Sequence, residues 1–333
     1  MNTTFNEIST LEFEEADLAV RRQARKSCSE QMINIEIAYT KTSYLPNLYD
    51  KFKRLNDQLN QADTSLGRTA QKAAIDLDFQ SLSLNGFLKE LAHNIDEEER
   101  EEILEDLKKT LNEATRITGK ETAALKNILV ALSEPFSRDT VQGYLSTFAI
   151  DQENLSKDIA LTEEKLAEVE QQRSVLTAAI DALQSKGLGA IANDTILNVE
   201  KIVALGATPP QVAVISLALD ILKQSLENAD RSLNFLNLVN LRDEVRKRSD
   251  ALMELISTKR AEAAQLKHRM TLINSMVKFD DNLQVYTGEF RKVVVALQDF
   301  LDRYKHPASS DEETAQDFIA NARMLSAYLR PIQ

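Results

Sequence analysis

GLGAIANDTILNVEKIVALGATPPQVAVISLAL, residues 187–219, is the stretch on which the fold turns. Only Asp194, Glu200 and Lys201 carry charge in it, whereas the whole chain is 28% charged. At its centre stands Leu205-Gly206-Ala207-Thr208-Pro209-Pro210. Glycine permits a turn, and proline is pre-organised for the first position of a helix. The stretch therefore predicts a helical hairpin bent at Gly206, Pro209 and Pro210. Both arms are amphipathic at helical period. In the first, Ala192, Ile196, Val199 and Val203 share a face, and Asp194, Asn198 and Lys201 lie opposite. In the second, Ser216, Asp220, Lys223 and Glu227 make a narrow polar stripe. Val212, Val214, Ile215, Leu217, Leu219 and Leu222 fill most of the remaining arc.

Working outward, the hairpin is flanked by two heptad seams. Ile159, Leu166, Val169, Leu176, Ile180 and Leu183 fall on core positions, with Thr162 and Arg173 as polar exceptions. Leu238, Val245, Leu252, Lys259, Leu266 and Ile273 recur every seventh residue, with Lys259 the polar member. Such spacing is that of a coiled coil. Two seams joined through a hairpin predict an antiparallel stalk, and a helix of 40 residues would be about 60 Å long.

Composition agrees. The 333 residues include 8 Gly and 6 Pro, too few turn formers for hairpin-rich β or short-loop α/β folds. The expected fold is all-α: an elongated helical bundle with a long antiparallel coiled-coil stalk and a central apolar hairpin at its tip. Expected divisions are 1–137 as the N-terminal part of a tail bundle, 138–186 as the ascending stalk helix, 187–226 as the hairpin, 227–280 as the descending helix, and 281–333 as C-terminal helices packed on the tail. Within the first part, helices are expected over 11–44, 48–84, 95–117 and 121–132, with breaks at Asn85-Gly86 and Thr118-Gly119. The C-terminal part is expected to form one or two helices.

Neither arm of the hairpin is a conventional membrane span, which needs about 20 consecutive apolar residues. Each unpaired charge at a helix centre would cost about 3 kcal/mol in a bilayer. A ring of copies removes that cost, because every polar stripe can face a shared aqueous lumen. The same low charge also suits a buried layer of an ordinary helical bundle, and the residues alone leave both readings open.

Leu188-Gly189-Ala190-Ile191-Ala192, the stretch 202–219 and the flanking heptads together resemble the cytolysin A-like α-pore-forming toxins. Within that group the layout is most similar to the smaller, B-type subunit of the binary α-xenorhabdolysin toxins. The resemblance implies a non-enzymatic toxin subunit with a soluble form. Such a subunit pairs with a larger A-type partner and assembles into a hetero-oligomeric ring in a target-cell membrane. It implies membrane insertion of Ile191, Ile196, Val199, Val203, Val212, Val214, Ile215, Leu217, Leu219 and Leu222. The polar stripe would line the pore, and Gly187, Gly189, Gly206, Pro209 and Pro210 would act as hinges. A single-component cytolysin and a non-membrane coiled-coil adaptor are the alternatives.

Other chemistry finds little support. His93, His268 and His306 are far apart in sequence and lack ligand-spaced partners, so no metal site is expected. No P-loop, dinucleotide or nucleophile-elbow pattern occurs, and no cofactor or catalytic residue is expected. Net charge of −12 argues against nucleic acid. The lone Cys28 excludes an intramolecular disulfide and reads as a small buried or half-buried residue. Arg21, Arg22, Arg25 and Lys26 read as an exposed face paired with nearby glutamates, or as a contact for a partner or lipid headgroups. The first seventeen residues hold four glutamates and lack the basic start and apolar run of a Sec signal. Secretion is therefore expected by another route.

Overall fold

The computed structural model of the chain describes residues 11–93, 95–134, 136–186, 196–204, 206–226, 233–305 and 310–332. Among these residues there are eight helices and no strand: α1 (Leu18–Thr42), α2 (Pro46–Leu91), α3 (Glu97–Leu132), α4 (Arg138–Ser185), α5 (Val199–Ala204), α6 (Pro209–Leu226), α7 (Phe235–Tyr304) and α8 (Asp311–Leu329). The all-α expectation is met. The chain divides into two compact units, Met1–Gln142 with His268–Gln333, and Gly143–Lys267.

In the first unit the C-terminal part of α7 is the axis. Leu272, Met276, Phe279, Leu283, Tyr286, Phe290, Val293, Leu297, Phe300 and Tyr304 are all buried. Their spacing alternates between four and three residues, the period that keeps one stripe of a helix against its neighbours. Phe52 of α2 meets Phe279 edge-on at 5.3 Å between ring centroids. Phe300, Tyr304 and Phe318 pack as a trio at 5.1–5.2 Å. Burying each such ring contributes about 2–3 kcal/mol.

Helix ends in this unit follow local chemistry. Asp17 Oδ1 accepts the Ala19 and Val20 amides, both at 2.9 Å, and opens α1. The helix stops where Ser43 turns left-handed (φ 47°) and donates its amide to Tyr39 O at 2.7 Å. Pro46 then opens α2. Asp96 accepts the Glu99 amide at 2.9 Å, and Glu97, Glu98 and Glu99 complement the positive end of α3.

Several sequence expectations need correction. The first helix starts at Leu18, not at residue 11, because Asp17 caps it. The expected break at Asn85-Gly86 is absent: α2 runs through it to Leu91, held by buried Leu77, Leu84 and Leu91. Residues 97–132 form one helix rather than two, since Thr118 and Thr122 satisfy their hydroxyls on Ala114 O and Thr118 O within the helix. Residue 280 falls inside an unbroken α7. Arg21 is not on an exposed face. It is 4% exposed and lies with Arg25 beside Asp63, at 3.6 and 3.5 Å. Tyr286 donates its hydroxyl to the same carboxylate at 3.4 Å. Cys28 is fully buried, as expected.

The second unit is built on α4 and the N-terminal part of α7. Lys259 pairs with Asp158 at 2.7 Å and Arg260 with Glu163 at 2.6 Å. Ser249, fully buried, donates to Glu170. Ser249 lies against Glu170, whereas Lys259 and Arg260, further along α7, lie against the earlier Asp158 and Glu163 of α4, so the two helices run antiparallel. Thr162, Val169, Leu176, Ile180 and Leu183 of the first seam are buried, as are Leu238, Val245 and Leu266 of the second. The polar member Lys259 is accommodated because its ammonium reaches Asp158 while its stem covers the seam. The Ser249 hydroxyl, with Arg173 alongside, holds the Glu170 carboxyl below the usual carboxylate range.

Candidate functional site

The low-charge segment lies in the second unit as α5 and α6, packed on α4 and α7. Ile215, Ala218, Leu219 and Leu222 of α6 are buried, at the i, i+3, i+4, i+7 spacing of one helix face. They join Val169, Leu176, Ala179, Ile180 and Leu183 of α4 and Leu238 and Val245 of α7 in one apolar cluster. Leu197 and Ile202 complete it from the side of α5.

The side of the segment turned to solvent carries exposed apolar side chains beside its charged ones. Ile196 is 56% exposed, Val199 46%, Val203 55% and Leu217 51%. Val212 and Val214 are half-buried. The sequence-derived apolar set thus divides in two: Ile215, Leu219 and Leu222 face the helices beneath, and Ile196, Val199, Val203 and Leu217 face outward.

The bend is built as its residues dictate. Gly206 has φ +76°, a backbone conformation that costs an L side chain strain. Its amide donates to Val203 O at 2.9 Å and closes the end of α5. Thr208 precedes Pro209 and Pro210, the first two residues of α6. The Gln211 side chain reaches back to accept the Thr208 amide at 2.9 Å and its hydroxyl at 3.1 Å. This Thr-Pro-Pro-Gln arrangement is the reciprocal half of a capping box, a signal legible in the sequence at 208–211.

Polar-stripe residues are partly used locally. Asn198 Oδ1 accepts the Lys201 amide at 2.9 Å and caps α5. The Lys201 ammonium donates to Ile196 O at 3.0 Å. Asp220 and Lys223 are exposed, and Ser216 is half-buried. Gly187, Gly189, Ile191, Asp194 and Glu227 lie outside the described residues. Helical period predicts a first arm that is helical through residue 196. Residues 196–198 are instead non-helical, because the Leu197 amide donates to Leu233 O at 2.7 Å and Ile196 bridges Asn234. Leu197 and Ile202, absent from the sequence-derived set, carry the burial of this arm. Among the described residues no helix is long and apolar enough to cross a membrane, and no cluster of metal-ligating side chains occurs.

The all-α fold so described is similar to that of several solved structures. The chain is similar in structure to PaxB from Photorhabdus luminescens, with a TM-score of 0.74 and 16% identity over 95% of this chain and 97% of that one. It is similar to XaxB from Xenorhabdus nematophila, with a TM-score of 0.71 and 14% identity over 96% of this chain and 100% of the other. A chain of the XaxAB pore complex from Xenorhabdus nematophila aligns with a TM-score of 0.64 and 16% identity over 96% and 95%. No protein-family model matches the sequence, and no curated protein matches it. The all-α class expected from the sequence agrees with these likenesses.

Proposed function

We propose that the chain is a non-enzymatic subunit of a binary pore-forming toxin, and that the α5–α6 segment is its membrane-inserting element. The carrying observation is the division of that segment: one face is sealed on α4 and α7, and the other leaves Ile196, Val199, Val203 and Leu217 in water. Four large apolar side chains left in solvent on one short segment point to an interaction surface. Lipid suits this one, because the residues beneath it are also apolar and would find an equivalent environment in a bilayer.

In this reading 187–226 is the inserting head, carried by stalk helices over 138–186 and 227–280, and 1–137 with 281–333 form the tail. Release exposes Ile215, Leu219 and Leu222 to lipid. Asn198, Lys201, Ser216, Asp220 and Lys223, with Asp194 and Glu227, turn to a water-filled lumen. No single α5–α6 segment shields such a stripe, so the pore is a ring of copies, each paired with a larger helical A-type subunit. The similarity to a chain of the XaxAB pore complex supports that partnership. The protein acts from a soluble form on a target-cell membrane.

Dye release from phosphatidylcholine–cholesterol liposomes tests the reading. Release is expected when a purified larger helical subunit is added with the chain. Release by the chain alone would mark a single-component cytolysin. No release under either condition, with no protection of residues 196–226 by lipid, would favour a coiled-coil adaptor instead.

A further inference from the structure

Two short non-helical pieces, one before α5 and one before α7, are tied to each other at the root of the apolar segment. Ile196 and Asn234 form an antiparallel bridge, flanked by the hydrogen bond from the Leu197 amide to Leu233 O at 2.7 Å. Leu197 is 3% exposed and Asn234 6%, while Ile196 is 56% exposed, so the pairing is buried on one side and faces solvent on the other. Asn234 is fixed in turn by α7: its Oδ1 accepts the Asn237 amide at 2.8 Å, and its carbonyl accepts the Leu238 amide at 3.2 Å. From the other side the Lys201 ammonium closes on Ile196 O.

This pairing is out of register with the helices below it. Ser249 lies against Glu170 across the α4–α7 pair. Sixteen residues further along each chain in that register, Leu233 would come opposite Lys186. The bridge instead sets Leu233 and Asn234 against Leu197 and Ile196, about a dozen residues on. A straight continuation of α4 and α7 as paired helices and the 196–234 bridge are therefore mutually exclusive. Bistable elements of this kind are what a packed interface converts into a discrete switch.

We propose that the Ile196–Asn234 bridge is a backbone latch: closed, it holds α5–α6 on α4 and α7, and it must open before the segment can extend. The proposal rests on the membrane-inserting role argued above and adds the contact that restrains it. A partner subunit that competes for the Leu233 carbonyl, Asn234 or Lys201 would open the latch.

A cross-link tests it. The hydrogen bond flanks the 196–234 pair rather than joining it, and such antiparallel pairs have Cα atoms about 4.5 Å apart, within disulfide range. The full-length Ile196→Cys/Asn234→Cys variant, in a Cys28→Ser background, is mixed with the larger helical subunit and dye-loaded phosphatidylcholine–cholesterol liposomes. Oxidised, it is expected to release dye at least about tenfold more slowly than the same preparation after reduction. Equal rates, with the cross-link verified on a gel, would overturn the latch and leave the insertion reading standing. Silence from the wild-type chain would overturn both.

Hydrogen exchange gives a readout that needs no cross-link. The Leu197 amide of the wild-type chain alone is expected to exchange at least about a hundredfold more slowly than an unprotected amide. It should lose that protection when partner and liposomes are added. Exchange at the unprotected rate in the chain alone would overturn the proposal.

Discussion

Leu217 stands 51% exposed on α6, two residues from Ile215, which is 1% exposed. The two side chains have similar size and hydrophobicity, and the helix points them in different directions. Leu217→Asp should leave thermal stability within about 0.5 kcal/mol of wild type, because the new carboxylate stays in water. It should reduce dye release at least about tenfold, since a charge at mid-bilayer costs about 3 kcal/mol. Ile215→Asp should destabilise the protein by about 3 kcal/mol or more, because the carboxylate replaces a side chain packed in the apolar cluster. Thermal melts and liposome assays on both variants check the pair. Equal destabilisation by the two would mean that Leu217 is not outward-facing.

Asp63 is the counter-charge of a guanidinium buried beneath α1. Arg21 is 4% exposed, and its Nε and Nη1 lack hydrogen-bond partners. Asp63→Asn should cost about 3 kcal/mol, because it leaves that charge uncompensated. Arg25→Ala, at a side chain that is 43% exposed, should cost less than about 1 kcal/mol. Denaturant unfolding followed by circular dichroism measures both.

Stability should fall at alkaline pH. Burial pushes the Cys28 thiol up from 9.0 to about 12, with Asp280 adding to the effect. Burial likewise pushes the Tyr286 and Tyr304 phenols well above their ordinary 10.0. The folded state thus keeps the neutral forms, and the unfolded chain loses those protons at the ordinary values. The contribution of these groups is complete below about pH 9 and is lost as pH rises toward 12 and beyond. Unfolding midpoints from pH 7 to 11 should stay level to about 9 and then drop. Native Cys28 should resist alkylation at pH 8.5 and react on unfolding.

Two glycines should respond in opposite directions. Gly86 lies inside α2 with open space around the position of a Cβ, so Gly86→Ala should stabilise by about 0.5–1 kcal/mol. Gly206, at φ +76°, should lose about 1 kcal/mol on replacement by Ala despite equally open space. Melting temperatures of the two variants give the comparison.

Much of this arrangement is legible in the sequence, and the illegible parts have physical causes. The heptad at 159–183 and the sevenfold recurrence at 238–273 locate the antiparallel helices, because core period is a local property. The polar residue Lys259 reads as a flaw in the seam until its partner Asp158 is known. Gly86 and Gly119 read as helix breakers, but burial of their neighbours outweighs a propensity cost of about 1 kcal/mol each. Helical period gives the polar stripe of 209–226 but places Leu217 in one apolar arc with Ile215 and Leu219, because it cannot tell which part of that arc the helices beneath will cover; Gln211 is recognisable as a cap. The role of Leu197 is not recognisable, because a single bridge to residues 233–234 leaves no pattern in either piece. Arg21 reads as surface because its partner Asp63 is on another helix.

The most direct test of membrane insertion is the environment of residue 217. A solvent-sensitive fluorophore on Leu217→Cys, in a Cys28→Ser background, reports it in the same sample as dye release. The account predicts water-like emission for the chain alone, and a blue shift with rising intensity once partner subunit and liposomes are both present. Emission that stays at its aqueous position while those liposomes empty would contradict it.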